Sequence, residues 1–434
     1  MDKIDPWTTK QVDITRIFQE FGVERIDPLL DRIPVKHRFV RRRIILGHRD
    51  YDIVLDAINK KEKFAVMSGF MPSGAAHLGH KMVMEEVIWH QEMGGDVFVS
   101  IADMEAHAVR GIPLKKCREI GLREYITSMV ALGLNPENAY FYFQSKNFRL
   151  RDLMFEIGTV VNFSTLSAIY GFSGDTSVSH ISGVLAQSSD ILLPQLKEFG
   201  GAKPVVVPVG FDQDPHIRLV RDVADKLRRF QVEMHDGYVR IRNKTADNDL
   251  FNEVYERVRK YEKVKMYQGH IDIFDLNDEE GLNKIEEIVR QVEIDNGYYG
   301  FYPPSSIYHV FTSGLTGGKM SSSNPDSYIA LNDKPEDAAK KIKRAKTGGR
   351  VSLDEQREKG GNPDDCSVFD ILYFHLIEDD LEIEQIKEEC RGGKRVCGEC
   401  KKMAAVLIQE FLKDHQEKRK AVEDTVESYI REFK

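Results

Sequence analysis

The sequence predicts an α/β fold, with an open parallel sheet in the larger part of the chain and an all-helical domain after it. Two observations carry this. Short apolar runs at 64–67, 97–101, 141–143 and 205–209 are each followed by a segment of helical period, the pattern of strands buried on both faces and joined by crossover helices. After about Pro325 no further buried run occurs, and residues 368–390 and 400 to about 433 place apolar side chains at helical spacing.

A chain of 434 residues exceeds one ordinary core, so more than one domain is expected. Residues 1–63 read as an N-terminal extension of helical and irregular pieces without visible chemistry, ending in Asn59-Lys60-Lys61-Glu62-Lys63. Residues 64–325 form the sheet-containing body. Within it, a charged, helix-like stretch at about 228–300 reads as a helical insertion covering the sheet, and residues 326–434 form the helical domain. No run approaches the length that crosses a bilayer. The start, Met1-Asp2-Lys3-Ile4-Asp5-Pro6, lacks the basic-then-apolar order of a secretory signal. The cytoplasm is the expected compartment.

The net charge of -8 disfavours nonspecific nucleic-acid binding unless basic groups gather on one face. Three such gatherings exist: Arg41-Arg42-Arg43, the stretch 340–346 with four lysines and one arginine, and Lys418-Arg419-Lys420. Each alone reads as a solvated helix face.

After the first apolar run stands Ser68-Gly69-Phe70-Met71-Pro72-Ser73-Gly74-Ala75-Ala76-His77-Leu78-Gly79-His80, and a helix follows. A strand, a loop of small residues and a helix N-terminus make an anion site, because free backbone N–H groups and the helix dipole both point at the loop. His77 and His80 fall on one face of the first helical turn, and Gly79 leaves room for a flat base or a ribose to approach the backbone. Two histidines so spaced also suit a surface pair or a structural metal site. Far downstream, Gly317-Gly318-Lys319-Met320-Ser321-Ser322-Ser323-Asn324-Pro325 offers one cation and several hydroxyls on a loop that can close over a polyanion. By itself it is equally a plain serine-rich turn.

The first loop resembles the His-Ile-Gly-His element of class I aminoacyl-tRNA synthetases and related nucleotidyltransferases, with Leu78 in place of isoleucine. The second resembles their Lys-Met-Ser-Lys-Ser loop, with serine for the second lysine, so that Lys319 alone supplies the cation. Both occur in the family's order. The resemblance implies a Rossmann-like catalytic domain and a helical anticodon-binding domain. It also implies ATP with Mg²⁺ held around Pro72, Ser73, Gly74, His77, Gly79 and His80 and by Lys319, Met320, Ser321, Ser322 and Ser323. His77, His80 and Lys319 would stabilise the transition state.

Within class I, the stretch Gly210-Phe211-Asp212-Gln213-Asp214-Pro215-His216 resembles tryptophanyl-tRNA synthetases of the archaeal and eukaryotic cytosolic type. So do Asp5-Pro6-Trp7, Gly47-His48-Arg49-Asp50, Ala168-Ile169-Tyr170-Gly171-Phe172, Gly360-Gly361-Asn362 and Leu376-Ile377-Glu378-Asp379-Asp380, spread over nearly the whole chain. The resemblance implies L-tryptophan and tRNA(Trp) as substrates, a homodimer, anticodon reading by the C-terminal helices, and a pocket built from Glu105, Gln187, Asp212, Gln213 and Met67. An indole N–H only donates, so the pocket needs an acceptor at the right depth. Where the eukaryotic enzymes carry a tyrosine and a glutamine near the indole, this chain has Met67 and Ser100. Methionine is a poor acceptor, so the indole contact must be made differently; Met67 itself suits core packing.

Four of the five cysteines fall late, at Cys366, Cys390, Cys397 and Cys400. The Cys397–Cys400 gap suits two thiolates on one metal. The set resembles the arrangement by which some tryptophanyl enzymes hold a [4Fe–4S] cluster; Zn²⁺ suits four thiolates too, and relatives with the same fold lack these cysteines altogether. Two rival functions stand beside the ligase. A small-molecule nucleotidyltransferase would need neither the helical domain nor the basic clusters. A retired synthetase that only binds RNA or a partner would have no need of Lys319 and both histidines.

Overall fold

The computed structural model describes residues 18–19, 22–318, 320 and 324–432. In chain order its strands are β1 (Glu24–Arg25), β2 (Ile45–Arg49), β3 (Ala65–Phe70), β4 (Asp96–Ile101), β5 (Ala139–Phe143), β6 (Val205–Gly210), β7 (Phe230–His235), β8 (Tyr238–Asn243), β9 (Val264–Met266), β10 (His270–Ile273) and β11 (Ser305–His309). The main sheet runs β1-β2-β11-β6-β3-β4-β5. Strands β3, β4, β5, β6 and β11 are parallel, while β1 and β2 add an antiparallel edge. Period-two alternation buries both faces. Val66, Phe70, Val97 and Val99 belong to one core, and Ala65, Met67 and Phe98 to the other.

The order reverses between β3 and β6, so a crevice opens there beyond the strands' carboxyl ends. The glycine-lined loop leaves β3 at this point, and Phe211-Asp212-Gln213 leaves β6 beside it. The helix Leu78–Glu92 follows the first loop and the helix Asp214–Leu227 follows the second.

Three expectations need correction. Residues 1–63 are more than an extension, because β2 pairs with β11 and the helix Tyr51–Lys60 packs beneath it. β11 itself escapes a reading of the sequence because it opens with two serines. The insertion at about 228–300 is not simply helical. It holds a four-stranded antiparallel sheet, β7-β8-β10-β9, with the helices Asn248–Val258 and Glu279–Asp295 on one face; charged residues alternating with Val239 and Ile241 conceal its period. The helix expected over 368–390 is broken, since Leu372–Leu376 widens and ends at Ile377, and Asp379 caps a new helix, Asp380–Arg391, by accepting from Leu381 N and Glu382 N.

The long helix Cys397–Val422 packs on Pro335–Arg344. The first basic gathering fastens the helical domain to the body. Arg41 and Arg42 donate to Asp380 at 2.6 and 2.7 Å, and Arg38 donates to Glu378 at 2.9 Å. Among the described residues no single helix is long and apolar enough to cross a membrane; one bent pair, Phe148–Val160 with Phe163–Tyr170, passes on length and composition together.

Candidate active site

The crevice is a cavity of about 650 Å³ lined from both loops, from β6 and β11, and from the helix Val178–Leu192. His77 caps the helix Leu78–Glu92. Its Nδ1 accepts from Gly79 N at 3.1 Å, while His80 Nδ1 accepts from His77 N at 3.2 Å. Each side chain therefore satisfies a backbone donor that a helix start leaves over. Burial holds His77 down at about 4 and His80 well below the ordinary histidine range. Both rings are thus neutral at pH 7, and with Nδ1 accepting, each carries its proton on Nε2 as a donor. The rings lie 3.9 Å apart, with Tyr328 beside His77 and Tyr125 edge-on to His80. A Cβ at Gly79 would stand 3.0 Å from the His77 ring, so glycine is what lets the ring take its place.

The second motif reaches the first through its flanks. Leu78 N donates to Ile329 O and Leu331 N to Ala76 O, which pairs the chain after the serine loop with the glycine-lined loop. Gly317 and Gly318 hold successive positive φ values of 87° and 75°, a turn that side chains resist. Met320 is buried and lines the cavity. Lys319, Ser321, Ser322 and Ser323 lie outside the described residues, as do Asp5, Pro6 and Trp7. Pro72 is buried, and Ser73 lines the cavity; nothing stands within 4 Å of a Cβ at Gly74.

At the other end stand Glu105 and Gln187. Gln187 Nε2 donates to both carboxylate oxygens, at 3.0 and 2.9 Å, and its own Oε1 is buried without a hydrogen-bond partner. Burial pushes Glu105 up to about 7, against the pull of the Gln187 hydrogen bond and the Arg110 charge. Asp212, Gln213 and Met67 also line the cavity, and Met67 doubles as core. Asp214, next in the motif, is structural. Arg49 and Tyr308 donate to it at 2.8 and 2.7 Å, joining β2, β11 and the helix Asp214–Leu227.

Sequence reasoning missed Asp190. It sits one turn beyond Gln187 on the same helix, lines the cavity, and accepts from Tyr142 Oη at 2.8 Å and Gln144 Nε2 at 2.7 Å. Burial raises it to about 7, opposed by those two bonds and reinforced by Glu105. Only its three-residue spacing from Gln187 could have revealed it. His309, held by Glu86 at 3.0 Å, and His216, whose ring meets Tyr170 Oη at 2.7 Å, line the wall as well.

The four cysteines come together away from this cavity. Cys366, Cys390, Cys397 and Cys400 line one void of about 10 Å³ with Arg395, room for a single water. Burial raises Cys366 and Cys390 and pushes Cys400 up to about 12. Among the described residues no three His, Cys, Asp or Glu side chains are placed to hold one ion.

A parallel sheet with a nucleotide-type crevice at its switch point, bounded by the glycine-lined loop and by Met320, in a chain that carries both signature motifs in order, defines a class I aminoacyl-tRNA synthetase. The chain matches the family described as tRNA synthetases class I (W and Y) over residues 59–246 and 281–413, and it belongs to that family. It is 52% identical to a tryptophan–tRNA ligase of Methanosarcina acetivorans over 98% of each chain. It is 51% identical to that of Archaeoglobus fulgidus, covering 97% of this chain and 98% of the other. The crystal structure of tryptophanyl-tRNA synthetase from Aeropyrum pernix K1 superposes with a TM-score of 0.77 at 35% identity over 99% of both chains. Within the family this chain is therefore one of the tryptophan–tRNA ligases of archaeal type.

Proposed function

We propose that the 650 Å³ cavity activates L-tryptophan with ATP and then transfers it to tRNA(Trp). The pairing of Ala76 and Leu78 with Leu331 and Ile329 carries this reading, because it joins the glycine-lined loop to the chain that follows the serine motif, beside a cavity that also holds buried carboxyls. In the first step the tryptophan carboxylate attacks the α-phosphorus, and pyrophosphate leaves. In the second, the 2′-hydroxyl of the terminal tRNA adenosine attacks the carbonyl carbon, and AMP leaves. Magnesium arrives on the ATP phosphates as part of the substrate and needs few protein ligands.

Such a transfer demands positioning and charge stabilisation more than covalent help. The Nε2–H groups of His77 and His80, with Lys319, supply that stabilisation, and the helix N-terminus at Leu78 adds its dipole. Pro72, Ser73, Gly74, Gly79, Met320, Ser321, Ser322 and Ser323 shape the ATP end. Glu105 takes the substrate ammonium, with the unused Gln187 Oε1 beside it. Asp190 accepts from the indole N–H, a role for which the Met67 thioether is too weak an acceptor. Asp212 and Gln213 complete the wall.

Residues 326–434 read the anticodon. Lys340, Lys341 and Lys346 are tied to Asp337, Asp333 and Asp365, so Lys343 and Arg344 are the better candidates for tRNA phosphates. The exposed Phe148, Phe155, Phe163 and Val178 are the apolar side chains offered to a homodimer contact. The reaction places the enzyme in the cytoplasm. The four thiols are the donors for a [4Fe–4S] cluster or Zn²⁺, which would staple the helical domain. The void of about 10 Å³ between them must widen to admit either group. ATP–pyrophosphate exchange across the twenty amino acids tests the central claim: exchange is expected with tryptophan, and exchange with tyrosine alone would overturn it.

A further inference from the structure

The inserted sheet has two unlike faces. Cross-strand partners share a face, and Val232, Ile241 and Ile271 pair in one row that packs under the two helices. The alternate rows turn the other way: Gln231, Arg242 and His270 in one, Glu233, Arg240, Asp272 and Lys265 in the next, and His235 with Tyr238 in the last.

This second face is aromatic and cationic. His235 stacks on Tyr238 at 5.0 Å and 9°, Tyr238 meets Phe274 at 5.2 Å, and Tyr267 stacks on His270 at 4.5 Å and 15°. Tyr267 and Phe274 are exposed. The Lys265 ammonium lies 5.6 Å from the Phe274 ring centre and the Arg240 guanidinium 5.3 Å from that of Tyr238. Arg240 spends its fork on Asp272, at 2.8 and 2.9 Å, and leaves that acid 5% exposed. Arg242 bridges Glu233 at 3.7 Å and stays about half exposed, and Lys265 is exposed beside them; Arg240, Arg242 and Lys265 against Asp272 and Glu233 give the face a positive balance within a chain of net charge -8.

We propose that this face docks single-stranded RNA. Aromatic rings exposed on a sheet, as Tyr267 and Phe274 are, can stack unpaired bases, and neighbouring cations meet the phosphates. A duplex would hide its base faces from the rings. A lipid partner would want aliphatic surface, which the strands turn to the other side; a protein partner also suits rings and arginines, and it predicts no preference for the RNA single strand over the duplex. The proposal goes beyond ligation and does not depend on it.

Fluorescence anisotropy with a short labelled single-stranded RNA, and with the same sequence as duplex, tests it on the full chain. Replacing both Tyr238 and Phe274 by alanine should weaken single-strand binding roughly tenfold to a hundredfold, the scale of losing base stacking. Tyr238→Phe should keep affinity, because the ring suffices. Arg242→Gln should flatten the salt dependence by about one phosphate contact. Tryptophan-dependent pyrophosphate exchange should be unchanged in all three and reports their folding. Wild-type affinity in the double variant, an unchanged salt slope in Arg242→Gln, or equal binding of the duplex would each overturn the proposal.

Discussion

Gln187 donates to both oxygens of Glu105 through one nitrogen, at 3.0 and 2.9 Å, and keeps its carbonyl oxygen buried and unused. A neutral amide bridging a buried carboxyl gives it no countercharge, and burial raises it to about 7. The partner that suits this pair is a cation. In the proposed site the tryptophan ammonium would lie between the Glu105 carboxylate and Gln187 Oε1.

That arrangement makes tryptophan binding proton-linked. Below about pH 7 the free protein holds a proton on Glu105, and the ammonium must displace it. The sign follows: affinity is lowest in acid, rises with pH by up to roughly tenfold per unit for each carboxyl that must ionise, Asp190 at about 7 included, and levels off above the free-site values. Titration calorimetry in two buffers of different ionisation enthalpy should show a proton released near pH 6 and little above pH 8. Binding without proton release at either pH would remove the ammonium from Glu105.

Lys319 follows two glycines in left-handed backbone and precedes Met320, which is packed against the glycine-lined loop. Its charge is the only lysine charge of the serine loop. Lys319→Ala should therefore slow activation by about 10²–10³-fold, the scale for losing one preorganised stabiliser. Tryptophan affinity should hardly change. Equal losses in rate and in tryptophan binding would assign Lys319 to general binding or folding instead.

The cysteines give a prediction that needs no activity assay. Thiols raised by burial, Cys400 to about 12, must lose protons to bind a metal, so uptake should fall as pH falls. Protein purified without oxygen should carry about four iron and matching sulfide per chain if the cluster is present. Cys366→Ser and Cys400→Ser should each lower that content. Zinc in its place would identify a single-ion site, and metal-free protein with full thermal stability would leave four thiols as packing.

What the sequence conveyed was what local patterns encode. Four of the five parallel strands are apolar runs because both their faces are buried, and the two loops carry their chemistry in consecutive residues. β11 was hidden by Ser305 and Ser306, whose small hydroxyls fit a buried strand without announcing it. The inserted sheet was hidden by its charge, since Arg240 and Arg242 alternate with Val239 and Ile241 in a stretch otherwise rich in Glu and Lys. Arg41 and Arg42 resemble a nucleic-acid patch in the sequence, yet Asp380, far along the chain, takes both. Asp190 depends on Tyr142 and Gln144 from another strand end, a convergence that no linear motif records.

Asp190 supplies the most discriminating test. It shares the helix Val178–Leu192 with Gln187, one turn deeper, and its carboxyl is fixed by Tyr142 and Gln144, so it stands ready to accept from an indole N–H. Asp190→Ala should weaken tryptophan binding by about 10–100-fold above pH 7, where a carboxyl raised to about 7 by burial is ionised, the range for a lost hydrogen bond to a charged acceptor. The same change takes an acceptor away from Tyr142 and Gln144, and a distorted pocket would weaken any ligand. An analogue with sulfur in place of the ring nitrogen separates the two effects, because it keeps the ammonium and lacks the indole donor. Wild-type protein should reject the analogue strongly, since a buried acceptor is then left unpaired. Asp190→Ala should bind it about as well as wild type does, so the preference for tryptophan collapses. Glu105→Gln should weaken both ligands alike and leave the preference intact. Calorimetry of both ligands on the three proteins decides the assignment. A preference lost in Glu105→Gln but kept in Asp190→Ala would exchange the two roles.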